Sequence, residues 1–403
     1  MRILKLVGLL LLILSIVVVV RTILHTPVPM TDVTPVTINI DEGQAARHLS
    51  ESITFKTISN QSSVDKDETA FIGFIQWVKD TYPLVNSELE LVMLNQTMLY
   101  KWQGSDDRLK PILVTGHYDV VPVIPGTEKR WEHPPYAGNI VDGVVWGRGA
   151  LDDKSGVVGI LEATKFLINK GFKPTRTIYL SFGHDEEIGG RQGAGAVTEH
   201  LKARGVQLAW SLDEGSFLFK GMFPGVDNLI AAINVAEKGS VTLDIVANAA
   251  GGHSSMPPKN NAVSVLAKAI NKLEENPVPG GLQGLSATMF DGISRYFDFP
   301  MRMLFANRWL FDEVIDDQLS NITFANAMLR TTTAPTMLSG SIKTNVLPIE
   351  AIATVNFRVH PRDTPESVQA YVERIVADEQ ITVRTRGGEM HLRYHHGKQT
   401  VIA

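Results

Sequence analysis

Four stretches of this sequence gather carboxylates and histidine in patterns that could hold a metal ion and move protons. They are "GHYDVVPV" with His117 and Asp119, "WGRGALDDKSG" with Asp152 and Asp153, "SFGHDEEIGG" with Asp185, Glu186 and Glu187, and "WSLDEG" with Asp213 and Glu214. In an extended strand residues two apart point the same way, so Asp119 could hydrogen-bond the His117 ring and fix which nitrogen faces a metal. Asp152 and Asp153 sit in a glycine-rich loop ahead of a helix, where one could cap the helix while the other bridges ions. Three adjacent acids repel one another and raise each other's pKa. Alone they read as a solvated acidic turn, but cations would remove the repulsion. One glutamate could then bind metal while its neighbour takes a proton from water held there, whose pKa a zinc ion brings to about 7. The chain has no cysteine, so any metal must be held by His, Asp and Glu, a donor set that suits zinc.

These stretches fall where strands are expected to end. "LELVMLN", "PILVTG", "TRTIYLSFG" and "LAWSLDEG" read as strands, the last two as short apolar runs of the kind buried in a parallel sheet. "ETAFIGFIQWVKDTY" has helical spacing, with Phe71, Phe74, Ile75 and Val78 on one stripe, and "KSGVVGILEATKFLINKGF" is a helix stopped by Gly171. The alternation predicts an α/β domain over residues 43–235, a mostly parallel sheet covered by helices, with ligands at the carboxyl ends of the strands. Near residue 236 the rhythm changes. "KGSVTLDIVAN", "EAIATVNFRVH" and "ITVRTR" alternate as strands around the helices "NAVSVLAKAINKLEE" and "TPESVQAYVERIVAD". Two helices on an antiparallel sheet, an α+β ferredoxin-like domain over 236–388, are expected, with an insertion of undefined structure at about 277–335. The net charge of -5, from 38 basic and 43 acidic side chains, gives no reason to expect nucleic acid as a partner.

Taken in order, the four stretches and "GGHSSMPP" resemble the di-zinc metallopeptidase family of carboxypeptidase S, Gly-X carboxypeptidase and the aminoacylases, over about residues 43–388. The resemblance implies hydrolysis of an amide bond in a peptide or an N-acyl amino acid with a free carboxylate. It implies two zinc ions per active site, one held by His117, Asp152 and Asp213 and the other by Asp152 and Glu187. Glu186 would be the general base, acting on water held at the metal, and Asp119 would orient His117. The second domain would be a lid that also forms a homodimer. From it His253 would reach a neighbouring subunit's active site to polarise the substrate carbonyl. Asn345 in "KTNVLP" and Arg358 in "NFRVHP" would grip the substrate carboxylate, a task for which the guanidinium fork is suited.

The two ends differ from the body. "LVGLLLLILSIVVVV" (6–20), extended by Ile3, Leu4, Ile23 and Leu24, with Lys5 and Arg21 snorkelling, is long enough to cross a bilayer. No small-residue cleavage site follows, so residues 1–24 read as an uncleaved single-pass membrane anchor. Residues 25–42, rich in Pro and Thr, read as a linker. Basic residues precede the run, which puts the body outside the cytoplasm. In the family the catalytic domain resumes after the lid and carries a last His ligand for the second zinc. Here residues 389–403, ending "MHLRYHHGKQTVIA", read as an aberrant tail, consistent with a truncation by frameshift that leaves the second zinc site incomplete. His391, His395 or His396 are its only stand-ins. The alternative is then a catalytically impaired homologue that only binds or dimerises.

Overall fold

The computed structural model describes residues 2–27, 37–60, 67–215, 218–221, 223 and 226–389, and so excludes the tail after Glu389. Two compact units form, one from residues 33–215 and one from residues 1–32 with 216–403. The apolar N-terminal run is helix α1 (Arg2–Leu24), in which only Val18 and Thr22 are buried.

The unit of residues 33–215 contains α2 (Glu42–Ile53), α3 (Glu68–Thr81), α4 (Pro83–Glu88), β1 (Glu90–Leu94), β2 (Thr97–Trp102) and β3 (Ile112–His117). After the short pair β4 (Ile140–Val141) and β5 (Val144–Val145) come α5 (Lys154–Asn169), β6 (Ile178–Gly183), α6 (Ala194–Ala203) and β7 (Trp210–Leu212). Five strands form one sheet in the order β1-β2-β6-β3-β7. The sheet is mixed, not mostly parallel as the sequence suggests. β3 runs parallel to β6 and β7, whereas β1, β2 and β6 are antiparallel neighbours. The cause is a two-residue turn at Asn95, whose left-handed backbone (φ 54°) an asparagine tolerates, and which folds β2 back on β1. A second correction concerns β7, expected to be buried. It is an exposed edge strand, because it pairs on one side alone.

Helices cover both faces of this sheet. Phe71, Phe74 and Val78 of α3 are fully buried, beside Tyr100, Tyr118 and Phe182 and the α5 residues Val157 and Leu161. On the other face Val197 and Leu201 of α6 pack on Leu99 and Tyr179. Asp67 caps α3 by accepting from the backbone N–H groups of Thr69 and Ala70, and Gly171 follows α5 with φ at 70°.

The other unit continues with the pair β8 (Leu218–Phe219) and β9 (Ile230–Ala231), then β10 (Gly239–Asn248), β11 (Gly252–His253) and α7 (Ala262–Glu275). The expected insertion proves helical: α8 (Gly284–Ser294), α9 (Phe299–Ala306), α10 (Arg308–Ser320) and α11 (Thr323–Leu329). These share a core of their own that includes Phe290, Phe297, Phe305, Ile315 and Leu319. Next come β12 (Thr332–Ser339), β13 (Val346–Leu347), β14 (Glu350–Val359), α12 (Pro365–Val376) and β15 (Ile381–Glu389). The antiparallel order β12-β14-β10-β15, with α7 and α12 packed on it, is the ferredoxin-like arrangement expected. Alternate residues explain the packing: Val241, Leu243 and Ile245 of β10 and Ala353, Val355 and Phe357 of β14 all enter one core.

Helix α1 packs along the helical insertion. Leu14, Val18, Thr22 and His25 form its covered stripe. Asn307, between α9 and α10, is fully buried and donates to the Val18 carbonyl and the Thr22 hydroxyl, each at 3.2 Å. Arg21 Nε donates to the Ala306 carbonyl at 3.2 Å.

Burial, with the nearby Arg362, pushes the His360 imidazolium down from 6.5 to about 4. An unfolded chain takes that proton near 6.5, so between these values the unfolded state binds more protons and stability falls as pH falls. His360→Gln should therefore lose less melting temperature than the parent when pH drops from neutrality toward 5. Thermal melts of the two proteins in parallel measure this, and equal losses would exclude His360 as a source of acid sensitivity.

Candidate metal centre

His117 ends β3 and is buried, and Asp119 follows in full burial. The Asp119 carboxylate reaches the His117 ring, with Oδ1 3.3 Å from Nδ1. Ser59 Oγ donates to Asp119 Oδ2 at 2.6 Å, delivered by residues 57–59, which run alongside residues 118–120. The backbone N–H groups of Glu186 and Glu187 donate to the two oxygens of Asp119, each at 3.1 Å. Burial alone would raise this carboxyl's pKa, but the hydrogen bonds from His117 and Ser59 hold it below the usual value. One ionised side chain thus orients the histidine and anchors the acidic turn.

That turn is a single 3-10 turn over Glu186–Ile188, closed by hydrogen bonds from Gly189 N to the Glu186 carbonyl and from Gly190 N to the Asp185 carbonyl. Both glycines have positive φ, 97° and 62°, which accounts for the pair after "DEEI". Asp185 is turned the other way and accepts from Gln192 N at 2.7 Å. The three acids therefore do not share one role. Asp185 braces the turn, while the side chains of Glu186 and Glu187 are left to the site.

The Nε2 side of His117 is ringed by carboxylates. Asp152 Oδ1 lies 3.0 Å away, Glu214 Oε1 3.3 Å and Glu186 Oε2 3.8 Å. Among the described residues two groups bring ligand atoms within reach of one ion: His117 with Asp152 and Glu187, and His117 with Glu186 and Glu214. Burial pulls the His117 imidazolium down, yet Asp119 and Glu214 outweigh it and push the pKa up to about 12. A nitrogen that holds a proton so firmly lies where positive charge is needed, which a divalent cation would supply. Donor set and electrostatics both fit a metal. Burial, then Glu214, Asp119 and Glu187, raise Glu186 to about 7, against the pull of His117. Glu187 is raised as well, by burial and by Asp152.

The structure gathers His117, Asp119, Asp152, Glu186 and Glu187 as the sequence suggests. Asp213 is not in either metal group: its Oδ1 accepts from Glu214 N at 2.9 Å, and Glu214 faces His117 instead. "LDEG" contains both residues, so the motif was visible but not which carboxylate turns inward. The sequence offers Asp153 only as a cap or a bridge. It is buried, accepts from His117 N at 3.2 Å and is raised to about 7, first by burial and then by Glu214. A Cβ at Gly116 would lie 2.7 Å from its Oδ2, so that glycine makes room for the carboxylate. Ser59 carried no signal at all. The site borders a cavity of about 520 Å³ that His117, Glu186 and Asp213 line together with Leu113, Val197 and Leu201.

The other unit carries the remaining candidates. His253, on β11, pairs with β13 and so meets Asn345, with Asn345 Nδ2 3.4 Å from His253 Nε2. Its Nδ1 is 2.8 Å from Ser255 Oγ. Arg358 does not join them. It lies opposite Ser240 at the far end of the β10–β14 ladder from Asn248 and Glu350, roughly 26 Å along the strand at about 3.3 Å per residue.

Comparison with known proteins agrees with this architecture. The probable carboxypeptidase S-like 2 of Dictyostelium discoideum is 40% identical over 345 residues, 84% of this chain and 66% of that protein. The N-fatty-acyl-amino acid synthase/hydrolase PM20D1 of Xenopus tropicalis is 38% identical over 371 residues, 89% of this chain and 72% of its own. The chain thus spans about two thirds of the length of such relatives. Among solved structures, the M20 family metallo-carboxypeptidase Sso-CP2 from Sulfolobus solfataricus shares the fold with a TM-score of 0.58 at 19% identity, covering 84% of this chain and 77% of that one. Human carnosine dipeptidase 1 does so with a TM-score of 0.54 at 16% identity, covering 86% and 78%. Residues 113–369, which contain every carboxylate around His117 and the ferredoxin-like strands through β14, match the model of peptidase family M20/M25/M40, and the chain belongs to that family.

Proposed function

We propose that this protein is a metal-dependent hydrolase of amide bonds in peptides or N-acyl amino acids bearing a free carboxylate. The observation that carries the reading is the cluster in which Asp152, Glu186, Glu187 and Glu214 converge on the buried His117, with the Glu186 carboxyl raised beside it. A general base works best when its pKa lies near the operating pH. Zinc held by His117, Asp152, Glu187 and the Asp213–Glu214 turn would polarise the carbonyl and acidify water. The backbone of Glu186 is fixed by Asp119, so its carboxylate can take a proton from water as oxygen adds to the carbonyl carbon. The same group can return that proton to the nitrogen as the carbon–nitrogen bond breaks. Two zinc ions per site, as the resemblance implies, are part of the proposal. The names of the carboxypeptidase S-like and N-fatty-acyl-amino acid relatives support the substrate class. The binding-only alternative has no support among them.

His253 and Asn345 are proposed to hold the substrate's carbonyl and carboxylate from the lid; Arg358, at the other end of the β10–β14 ladder, is left out of this pair. Homodimerisation through this domain is supported by β12, an edge strand whose Met337 and Leu338 are exposed. Membrane anchoring is supported by α1, whose mean hydropathy reaches 3.1, and the placing of the body outside the cytoplasm by Arg2 and Lys5 ahead of the run. Metal analysis of the purified full chain, with hydrolysis of an N-acyl amino acid before and after chelation, tests the main reading. Hydrolysis that survives complete metal removal would refute it. Within the site, Glu187→Gln and Glu214→Gln should each weaken zinc binding by at least about 10-fold in titrations, since losing even a group that only orients a ligand costs about 10- to 100-fold. Unchanged affinity in both would mean that neither metal group is used.

A further inference from the structure

We infer that the helical insertion is itself a membrane-interface element, with the N-terminal turns of α9 and α10 resting in the lipid headgroup layer; this rests on α1 crossing the bilayer. The first observation is where α1 is gripped. Its covered stripe, Leu14, Val18, Thr22 and His25, extends into the apolar run instead of starting after it. Val18 lies six residues before Leu24, about 9 Å from the helix end at 1.5 Å per residue. A helix of this length has little to spare over a hydrocarbon core of about 30 Å. Whatever packs at Val18 therefore sits at or below the membrane surface. Asn307, between α9 and α10, packs there on the Val18 carbonyl, and Ala306, the last residue of α9, meets Arg21 one turn on.

The second observation is the surface beside that contact. Phe299 and Met301 on α9 and Trp309 and Leu310 on α10 are exposed, Phe299 by 44% and Trp309 by 56%. All four lie within eight residues of Asn307 along the chain. Four large apolar side chains exposed within one segment of twelve residues favour an apolar or interfacial environment over water. Tryptophan, apolar in body and polar at its N–H, prefers the bilayer interface. Arg21 lies at the contact itself and Arg308, paired with Asp312, opens α10; their remaining N–H groups can meet phosphate, whereas Arg295 is paired with Asp291 at 2.9 Å. The acids set the limit of immersion. Asp298, exposed at the N-cap of α9 where it accepts from Met301 N, must stay at headgroup level; Asp312 is paired with Arg308 at 3.0 Å, and Glu313, Asp316 and Asp317 follow along α10, so that helix can dip only its first turn. Interfacial helices bury their apolar face by about 5–10 Å, which matches the depth of Val18.

The absence of cysteine makes the test direct. The full chain, with Leu10→Cys, Phe299→Cys, Met301→Cys, Trp309→Cys or Lys202→Cys in turn, is spin-labelled and reconstituted in phosphatidylcholine vesicles. Collision with oxygen, which favours lipid, is compared with collision with a water-soluble nickel chelate. Leu10 marks the span and Lys202, exposed on α6, marks water. Labels at 299, 301 and 309 should show the oxygen preference of the Leu10 label, reduced but clear, and lose most of the nickel response seen at Lys202. Three sites guard against one variant failing to fold. Nickel responses at all three equal to that at Lys202, with Leu10 in lipid, would overturn the inference and leave the span intact. Labels shielded from both reagents would show a second copy covering the patch, also against it. A Leu10 label in water would remove the span and the inference together.

Discussion

Glu186→Gln should lower hydrolysis by about 10²- to 10⁴-fold, the contribution of a positioned general base, while metal content stays at the parent level. Three features make the two effects separable. Glutamine has the same shape, and the position's hold on the fold is its backbone N–H, donated to Asp119, which the substitution leaves alone. Its Oε2 stands 3.8 Å from His117 Nε2, farther than Asp152 at 3.0 Å or Glu214 at 3.3 Å, so it is the weakest candidate ligand of the three. Its pKa of about 7, in contrast, lets a sizeable fraction accept a proton near neutrality, and an amide accepts none. The rate should be measured under saturating zinc, with metal counted per chain on the same sample. If the variant loses zinc as readily as Glu187→Gln does, the adjacent glutamates do not divide ligand and base between them.

Asp119→Ala should damage fold and site together. Removing this carboxylate strips a partner from the Ser59 hydroxyl, from two backbone N–H groups and from the His117 ring. Removing one side of a buried ionic pair costs about 3–5 kcal/mol. Loss of the group that fixes a ligand histidine costs about 10- to 100-fold in metal affinity. Asp119→Asn separates these effects. It keeps one acceptor oxygen and the volume, so it should retain most of the stability while still loosening His117. Urea midpoints of the unit of residues 33–215 and zinc titrations of both variants check this. Parent-like zinc affinity in the alanine variant would remove Asp119 from any role in placing His117.

Much of this was legible because amphipathic elements write their burial into their periodicity. The α3 stripe and the alternation in β10 and β14 each bury one face, and both were readable as such. β2 was not, since "TMLYKW" lies between β1 and β6 and is buried at five of its six positions, which erases alternation. Without β2 the sheet looks parallel. The insertion was equally opaque: α8 to α11 bury aromatic residues against one another, with no single stripe to read. At the site, residue types and order were enough to find His117 and its carboxylates. They could not say that Glu214 turns toward His117 while Asp213 bends back to its own turn. A backbone hydrogen bond from Glu214 N to Asp213 accompanies that choice, and no pattern of residue types encodes it. Ser59, sixty residues from its partner, belongs to no local pattern.

The anchoring of the acidic turn by Asp119 bears on how the metal arrives. β3 and β6 are held in parallel register, His117 against Gly183, by backbone hydrogen bonds, and the Asp119 carboxylate then clasps the next turn. Hydrogen bonds within the chain itself hold the backbone that carries these donors. Binding should therefore forfeit little conformational entropy, and a chelator should extract the ion from a standing framework instead of collapsing it. Such a protein can be emptied and refilled, and one ion can be exchanged for another, as a thermodynamic cycle on a folded host. Domains that fold only around their zinc offer no such cycle.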